Sequence, residues 1–459
     1  MTRGSPRREI PERLPDAPAR SMFGRPAPRP PMPNPQPDTV AHQQAKKLDR
    51  LLAAVVADNP FYRNRFAKAG WTAARPPHLS DFPTLPFTTK SDLVQDQRHH
   101  PPYGTNLTVP LEQYTRVHQT SGTTGAPLRW LDTAESWEWW CACWAAIYRT
   151  AGVTPADRIF VAFSFGPFIG FWAAFDGAQR LGATVIPGGG LSSSERLHDI
   201  RAHGATVLVC TPTYALRLAE VAAEEGIDIA GGPVRVTIHA GEPGASLPNV
   251  RGRIEAAWGA RCVDHVGATE IGAWGVACGT ADHVHLLERE FIAEVVDPET
   301  GMPASPAGDG ARRGELVLTN LGRIGSPVIR YRTGDLVDLH PSPCPCGRDT
   351  AYLRGGVLGR VDHMLIVRGV NVFPSAIDNL VRAFPSVVEY QVAVEREGEL
   401  DELVIRIETA DGAAPGVAAE LAEHMHRQLR LRPRVVPAPT GTLPRYELKA
   451  RRFTPHAAR

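Results

Sequence analysis

Between residues 40 and 69 the apolar positions recur at intervals of three and four. Leu48, Leu51, Leu52, Val55 and Val56 share one face, so the spacing predicts an amphipathic helix, broken at Asn59-Pro60. Prolines 76, 77, 83 and 86 predict a turn-rich connector, and Thr89-Lys90-Ser91-Asp92 the opening of a short helix. From residue 128 the pattern changes to short continuous apolar runs alternating with amphipathic stretches. Strands are expected at 128–130, 158–163, 183–187, 206–210, 234–239 and 260–265. Helices are expected at 134–150, 171–181, 194–203, 212–226 and 247–258. Uninterrupted apolar strands separated by amphipathic helices indicate a parallel sheet covered on both faces. Ligands of such sheets sit beyond the carboxyl ends of the strands. Here those ends are the segments that begin at Phe163, Thr211, Ala240 and Val266.

From Phe291 the runs shorten and alternate. Residues 291–296, 314–319 and 336–339 read as antiparallel strands of a smaller β module, and 355–360 as a hinge. Strands at 364–367, 389–396 and 402–409 with helices at 374–384 and 415–431 then make an α+β module of about 100 residues. The fold class is therefore α/β: a large N-terminal domain of parallel sheets flanked by helices, with a small β module, followed by an α+β C-terminal domain. The expected boundaries are 1–40 for a disordered or extended Pro/Arg-rich arm, 41–358 for the N-terminal domain and 359–459 for the C-terminal one.

Composition narrows the function classes. Hydrophobic content of 43% and charged content of 22% are those of a soluble globular protein, and a net charge of +1 offers no bulk attraction to nucleic acid or an anionic membrane. No apolar run reaches the ~20 residues that span a bilayer, and the first residues lack the apolar core of a signal peptide, so a cytoplasmic location is expected. Seven cysteines do not suggest a disulfide framework. Cys141, Cys143, Cys210 and Cys262 stand among apolar neighbours and read as core.

The densest chemistry lies at Thr120-Ser121-Gly122-Thr123-Thr124-Gly125-Ala126-Pro127. Such a loop can turn hydroxyls and backbone N–H groups toward an anion, for which a phosphate chain is the natural guest. It is not a Walker loop, since no Gly-Lys-Ser/Thr follows the glycines. Six further polar clusters follow: Gly241-Glu242-Pro243, Gly267-Ala268-Thr269-Glu270, Tyr331-Arg332-Thr333-Gly334-Asp335, Gly359-Arg360-Val361-Asp362, Arg368-Gly369-Val370-Asn371-Val372-Phe373-Pro374, and Leu443-Pro444-Arg445-Tyr446-Glu447-Leu448-Lys449-Ala450. Taken in this order they resemble the adenylate-forming superfamily of acyl-CoA synthetases, and within it most closely the phenylacetate–CoA ligase family. The resemblance covers about residues 40 to 455.

The resemblance implies a two-step reaction. A carboxylate attacks the α-phosphorus of ATP to give an acyl-adenylate and pyrophosphate, and a thiol, usually CoA, then displaces AMP. Thr120, Ser121, Gly122, Thr123, Thr124 and Gly125 would hold the β- and γ-phosphates. Gly241, Glu242 and Pro243 would border the nucleotide, Thr269 would donate to the α-phosphate, and Glu270 would hold Mg²⁺. Asp335 would accept the ribose hydroxyls and Arg360 would offer a fork to ribose or phosphate oxygens. Lys449 would neutralise carboxylate and α-phosphate as they meet. Asp362 would be the hinge about which a mobile C-terminal domain rotates, bringing Arg368, Gly369 and Val370 to the thiol tunnel. A stand-alone adenylating enzyme that passes the acyl group to a carrier protein or an amine is the alternative, with a non-catalytic nucleotide-binding module as a third reading. A homodimer is carried over from the family alone.

Three positions depart from the family pattern. Ala126 stands where a lysine is often found, Val266 where an aromatic residue often stacks on adenine, and His363 where a second acidic hinge residue is common. The expected acyl pocket is formed by the strand-end segments that contain Phe165, Phe168, Gly189 and Ala240. An aromatic wall there suits a flat aryl or arylacetic acid, and would equally shorten a pocket for a small aliphatic one. Finally, Cys278, His285, Cys344 and Cys346 form a Cys-x6-His and a Cys-x-Cys pair whose donors suit tetrahedral zinc in a structural role. His283 is a rival ligand, and plain thiols in a Pro-Gly turn are the other reading.

Overall fold

The computed structural model describes residues 1, 39–77, 79–120, 127–279, 282–361, 365–367, 370–397, 400–410, 414–446, 450 and 452–454. Helix α1 (Val40–Asp58) buries the five predicted apolar residues. The break at Asn59 is a cap: its side chain accepts from the Tyr62 N–H and Pro60 opens α2 (Pro60–Lys68). Asn59 is fully buried and its amide donates to Asn106 and Thr108, so the turn is also anchored to a later segment. Helix α3 (Lys90–His99) opens with a capping box between Thr89 and Asp92.

Strands β1 (Tyr114–Gln119) and β2 (Arg129–Thr133) form an antiparallel pair around the hydroxyl-rich loop. β1 was not expected, because YTRVHQ is polar on both faces and carries no apolar alternation. Helix α4 (Ala134–Thr150) has the expected limits; Trp137, Trp139, Trp140 and Trp144 are all buried. Gly177 lets the following helix approach it, for a Cβ there would meet Trp144 at 2.4 Å.

The parallel core follows as β3 (Arg158–Val161), α5 (Ile169–Leu181), β4 (Thr184–Pro187), α6 (Ser193–Ala202), β5 (Val207–Cys210), α7 (Pro212–Glu224), β6 (Val236–His239), α8 (Pro248–Trp258) and β7 (Arg261–Ala268). Its strand order is β4-β3-β5-β6-β7, all parallel. β3 leads outward to β4 while β5 leads the other way to β6, so the order reverses between β3 and β5, which is where such sheets open a crevice.

β7 continues into an antiparallel pairing with β8 (Gly272–Ala277). Then β9 (His283–Leu286), β10 (Phe291–Val296), β11 (Arg312–Asn320), β12 (Tyr331–His340) and β13 (Tyr352–Arg360) complete one eleven-stranded sheet. Beyond β7 the spatial order is β8-β9-β13-β12-β11-β10. The smaller β module is thus continuous with the parallel sheet. The residues read as a hinge, 355–360, lie within β13; Gly355 and Gly356 have positive φ (72° and 68°) and bend the strand without ending it.

β14 (Leu365–Val367) and β15 (Val370–Val372) form a short pair. α9 (Pro374–Arg382), β16 (Val387–Glu397), β17 (Leu400–Thr409), α10 (Ala414–Leu429), β18 (Arg434–Pro437) and β19 (Phe453–Thr454) then build a four-stranded sheet in the order β18-β17-β16-β19. Tyr390, Ile407, Leu421 and Met425 belong to its own apolar cluster, separate from the one around the large sheet. Asn249 of α8 meets α9, donating through Nδ2 to the Asn379 carbonyl at 2.9 Å. Among the described residues no helix is long and apolar enough to cross a membrane.

Candidate active site

The hairpin of β1 and β2 closes the base of the hydroxyl-rich loop. The Thr120 N–H donates to the Leu128 carbonyl, and the Leu128 N–H donates to Thr120 Oγ1, both at 3.0 Å. Thr120 is therefore the clasp of the loop. Ser121, Gly122, Thr123, Thr124, Gly125 and Ala126 lie outside the described residues. The hairpin also touches the turn after β3: the Gln119 N–H donates to the Pro167 carbonyl at 2.9 Å.

Thr269 and Glu270 follow β7, and their backbone is held from beneath. Arg323 donates through Nη1 to the Thr269 carbonyl at 2.6 Å and to that of Glu270 at 3.4 Å. The same guanidinium forks onto Asp132 of β2 at 2.7 and 2.6 Å, and both side chains have no solvent exposure. Trp130 and Trp140 face the guanidinium at 5.1 and 5.3 Å from their ring centroids. A buried bidentate pair of this kind fixes orientation as much as charge. It ties the loop base to the Glu270 turn. His118, one residue before the loop strand ends, stacks on Trp137; burial pulls its pKa down to about 4, so it is neutral at pH 7.

A lysine also reaches Glu270. Lys90 Nζ lies 3.4 Å from Glu270 Oε1. The backbone two residues before it is held firmly. Thr88 donates to the Arg330 carbonyl and accepts from the Arg332 N–H at 3.0 and 2.9 Å, and its hydroxyl donates to the Ile329 carbonyl at 2.8 Å. Arg330 has φ of 48°, an uncommon conformation for a non-glycine residue. Its side chain stabilises it there through Glu294 at 3.0 and 2.8 Å, the Pro83 and Leu85 carbonyls at 2.6 Å, and the Phe87 ring.

Asp335 is lifted out of its ladder. Between the pairs Glu315–Leu336 and Val317–Arg332, residues 333–335 bulge opposite Leu316, and Gly334 takes φ of 76°. Asp335 Oδ1 accepts from Arg360 Nη1 at 3.1 Å, on the adjoining strand β13. The two residues expected to share the ribose are therefore neighbours.

Gly241, with φ of 97°, turns the chain after β6. Glu242 Oε1 accepts from the Thr213 N–H and Oε2 from the Ala450 N–H, both at 2.9 Å. The C-terminal segment thus reaches the end of the parallel sheet. Lys449, Asp362, Arg368 and Gly369 lie outside the described residues; Val370 is on β15, paired with Val367.

The aromatic turn stands at the β3–β5 crevice. Phe165 packs on Trp172 and Phe175, and a Cβ on Gly189 would meet it at 2.8 Å. Phe168 is half-buried at the start of α5, and Ala240 half-buried after β6. All four expected pocket residues stand at the same edge of the sheet.

On the far part of the sheet, the donor atoms of Cys278, His285, Cys344 and Cys346 all lie within 4.8 Å of one another. His285 Nε2 is 3.2 Å from Cys346 Sγ, and its Nδ1 is 2.9 Å from Thr350 Oγ1, which can hold the ring orientation. Three sulfurs and one imidazole fit a tetrahedral soft-ligand ion. His283 Nδ1 stands 3.4 Å from Cys344 Sγ, and its ring stacks on Tyr352.

Sequence reasoning did not single out Lys90, Asp132 or Arg323. Lys90 reads as the first residue of a capped helix, and Asp132 and Arg323 are 191 residues apart, so no spacing signal joins them. The absence of a lysine from the loop was the one available hint that a cation should come from elsewhere.

Comparison with known proteins gives a concordant result. Residues 6–322 match the family described as AMP-binding enzyme, and residues 369–456 the AMP-binding enzyme C-terminal domain. A phenylacetate-coenzyme A ligase of Thermus thermophilus is 35% identical over 85% of this chain and 87% of its own. One of Escherichia coli is 35% identical over 90% and 94%. Among solved structures, 2-hydroxyisobutyryl-CoA ligase in the postadenylation state with 2-HIB-AMP is 28% identical over 92% of this chain and 94% of that one, with a TM-score of 0.84. The same ligase in the thioesterification state, with 2-HIB-AMP and CoA, gives 0.66, at 30% identity over 90% and 88%.

Proposed function

The chain belongs to the AMP-binding enzyme family, in the branch of the phenylacetate–coenzyme A ligases, and on that basis we propose that its acid substrate is an aryl or arylacetic acid. The chemistry is ATP-dependent activation of a carboxylic acid to an acyl-adenylate with loss of pyrophosphate, then transfer of the acyl group to CoA. The observation that supports the reading is the tie of the Thr120 hairpin to the Thr269–Glu270 turn through Asp132 and Arg323, beside the Asp335–Arg360 pair and the docking of Ala450, next to Lys449, on Glu242.

Phosphoryl transfer is mainly positioning and charge neutralisation. Glu270 offers one hard oxygen ligand, which with substrate phosphates suits Mg²⁺; the ion would neutralise phosphate charge. Lys90 supplies the cation that the loop lacks at Ala126. Asp335 and Arg360 orient the ribose, and Lys449 screens the two anions of the first step. The turn of Phe165, Phe168 and Gly189 forms a flat apolar wall for the acid. Cys278, His285, Cys344 and Cys346 would hold a structural zinc, to which four protein donors would leave no open position for catalysis. A cytoplasmic setting suits these reduced thiols and the supply of ATP and CoA.

The test is ATP–pyrophosphate exchange over a panel of carboxylic acids, followed by CoA and detection of acyl-CoA by mass. Exchange supported by phenylacetate or a benzoate, with the matching thioester, is the expected result. Exchange with no acid, or with short aliphatic acids alone, overturns the proposal. Exchange without thioester would move the acceptor to a carrier protein or an amine.

A further inference from the structure

We propose that Glu242 is a positioning residue, the latch that seats the segment carrying Lys449 for the first half-reaction. This rests on the adenylation reading above. Thr213 is the second residue of α7, so its N–H is one of the donors that the helix itself leaves unpaired. Glu242 Oε1 takes that bond and gains from the positive end of the helix. The carboxylate is therefore oriented from within the large domain, whatever the C-terminal segment does. Its other oxygen accepts the Ala450 N–H, one residue from Lys449. A second tie lies two residues on: Arg452 Nη1 meets Thr213 Oγ1 at 3.3 Å, while its Nε and Nη2 grip Glu389 of the C-terminal module at 2.6 and 3.0 Å. One tie reaches Thr213 of α7 directly and the other reaches it through Glu242.

The arrangement makes the latch reversible. When the segment leaves, Oε2 loses one donor while Oε1 keeps its partner, so the acceptor stays aimed for the next cycle. Burial raises the Glu242 pKa, and the Thr213 and Ala450 donors oppose that rise, so the carboxylate and the docked segment support each other. Both oxygens of the side chain accept from backbone N–H groups.

Glu242→Gln and Glu242→Ala test it. With phenylacetate as the probe acid, pyrophosphate exchange should fall about 10- to 100-fold, the range expected for losing a charged hydrogen bond in the step it serves. With preformed phenylacetyl-adenylate and CoA the loss in thioester formation should be at least about tenfold smaller than the loss in pyrophosphate exchange. Amide hydrogen exchange across residues 450–454 should quicken in both variants, with the parallel core unchanged; this readout needs no substrate. Equal losses in both half-reactions, or unaltered exchange at 450–454, overturn the proposal. Wild-type protein that exchanges with no acid would count against the adenylation reading instead, and the hydrogen-exchange result would then decide the latch by itself.

Discussion

Arg323 carries its charge with no solvent exposure, and three distant stretches supply its partners: Asp132, the Thr269 and Glu270 carbonyls, and the Trp130 and Trp140 faces. Removing one member of such a pair leaves an uncompensated buried charge, so Asp132→Asn should cost about 3–5 kcal/mol in urea unfolding. The double variant Asp132→Leu/Arg323→Met should recover most of that stability, yet keep a low pyrophosphate-exchange rate, because the Glu270 turn stays unsupported. Lys90→Ala should slow exchange by about 10- to 100-fold with little change in melting temperature, since Lys90 lies at the surface edge of the site; Lys90→Arg should restore part of the rate. An unchanged rate in Lys90→Ala would remove this residue from phosphate neutralisation. These residues show where sequence reading stops. Glu270 and Asp335 each stand in a compact polar cluster near a glycine, and the ordered series of such clusters, through the family it resembles, marks them. Arg323 and Asp132 are ordinary charged residues until the fold joins them, and Lys90 looks like a helix start.

The elements show the same division. α4 has the limits expected from the sequence and is capped by Thr133, and the parallel strands agree to within a few residues. β8 and β9 were missed, since GAWGVA and HVHL are short and carry glycine or histidine where strands are usually apolar. Strand starts are tied together by one carboxylate: Asp157, before β3, accepts from Thr154, from Thr206 before β5 and from Arg235 before β6. Burial alone would raise its pKa, but these donors outweigh it and bring the value from 3.8 to about 2. A depressed carboxylate contributes stability above its unfolded pKa, and that stability is lost as pH falls through the folded one. Asp157→Asn should therefore cost about 1–2 kcal/mol at neutral pH, discounted for the half-exposed Arg235. The difference from wild type should vanish between pH 4 and pH 2 in acid-unfolding curves, while exchange activity holds. The cysteine cluster makes a separate element-scale prediction. Elemental analysis should find about one zinc per chain, and Cys344→Ser should lose it and melt several degrees lower at ~2–4 °C per kcal/mol, with the exchange rate within about threefold.

At the scale of the whole molecule, two apolar clusters are bridged by polar contacts: Asn249 with Asn379, Arg253 with the Val387 carbonyl, and Glu242 with Ala450. Such bridges are easily exchanged, which suits the proposed rotation of the C-terminal module between the two steps. The likeness to the postadenylation state of a related ligase exceeds that to its thioesterification state. A disulfide introduced by Asn249→Cys with Asn379→Cys should hold this arrangement. The oxidised protein should keep pyrophosphate exchange and lose acyl-CoA formation at least tenfold, with recovery on reduction. Retention of both activities would mean that no rotation separates the steps. By itself the sequence determined the α/β class, the order of the helices and the parallel strands along the chain, and the ordered series of polar clusters that contains Thr120, Glu242, Thr269, Glu270 and Asp335, because apolar period and the order of motifs are properties of the chain itself. Only the tertiary structure decided that the β module continues the parallel sheet, that 355–360 is strand, and that Arg323, Asp132 and Lys90 support Glu270. Those depend on contacts between residues tens to hundreds of positions apart, and such contacts form only when a buried charge or an unpaired backbone group finds its partner across the folded core.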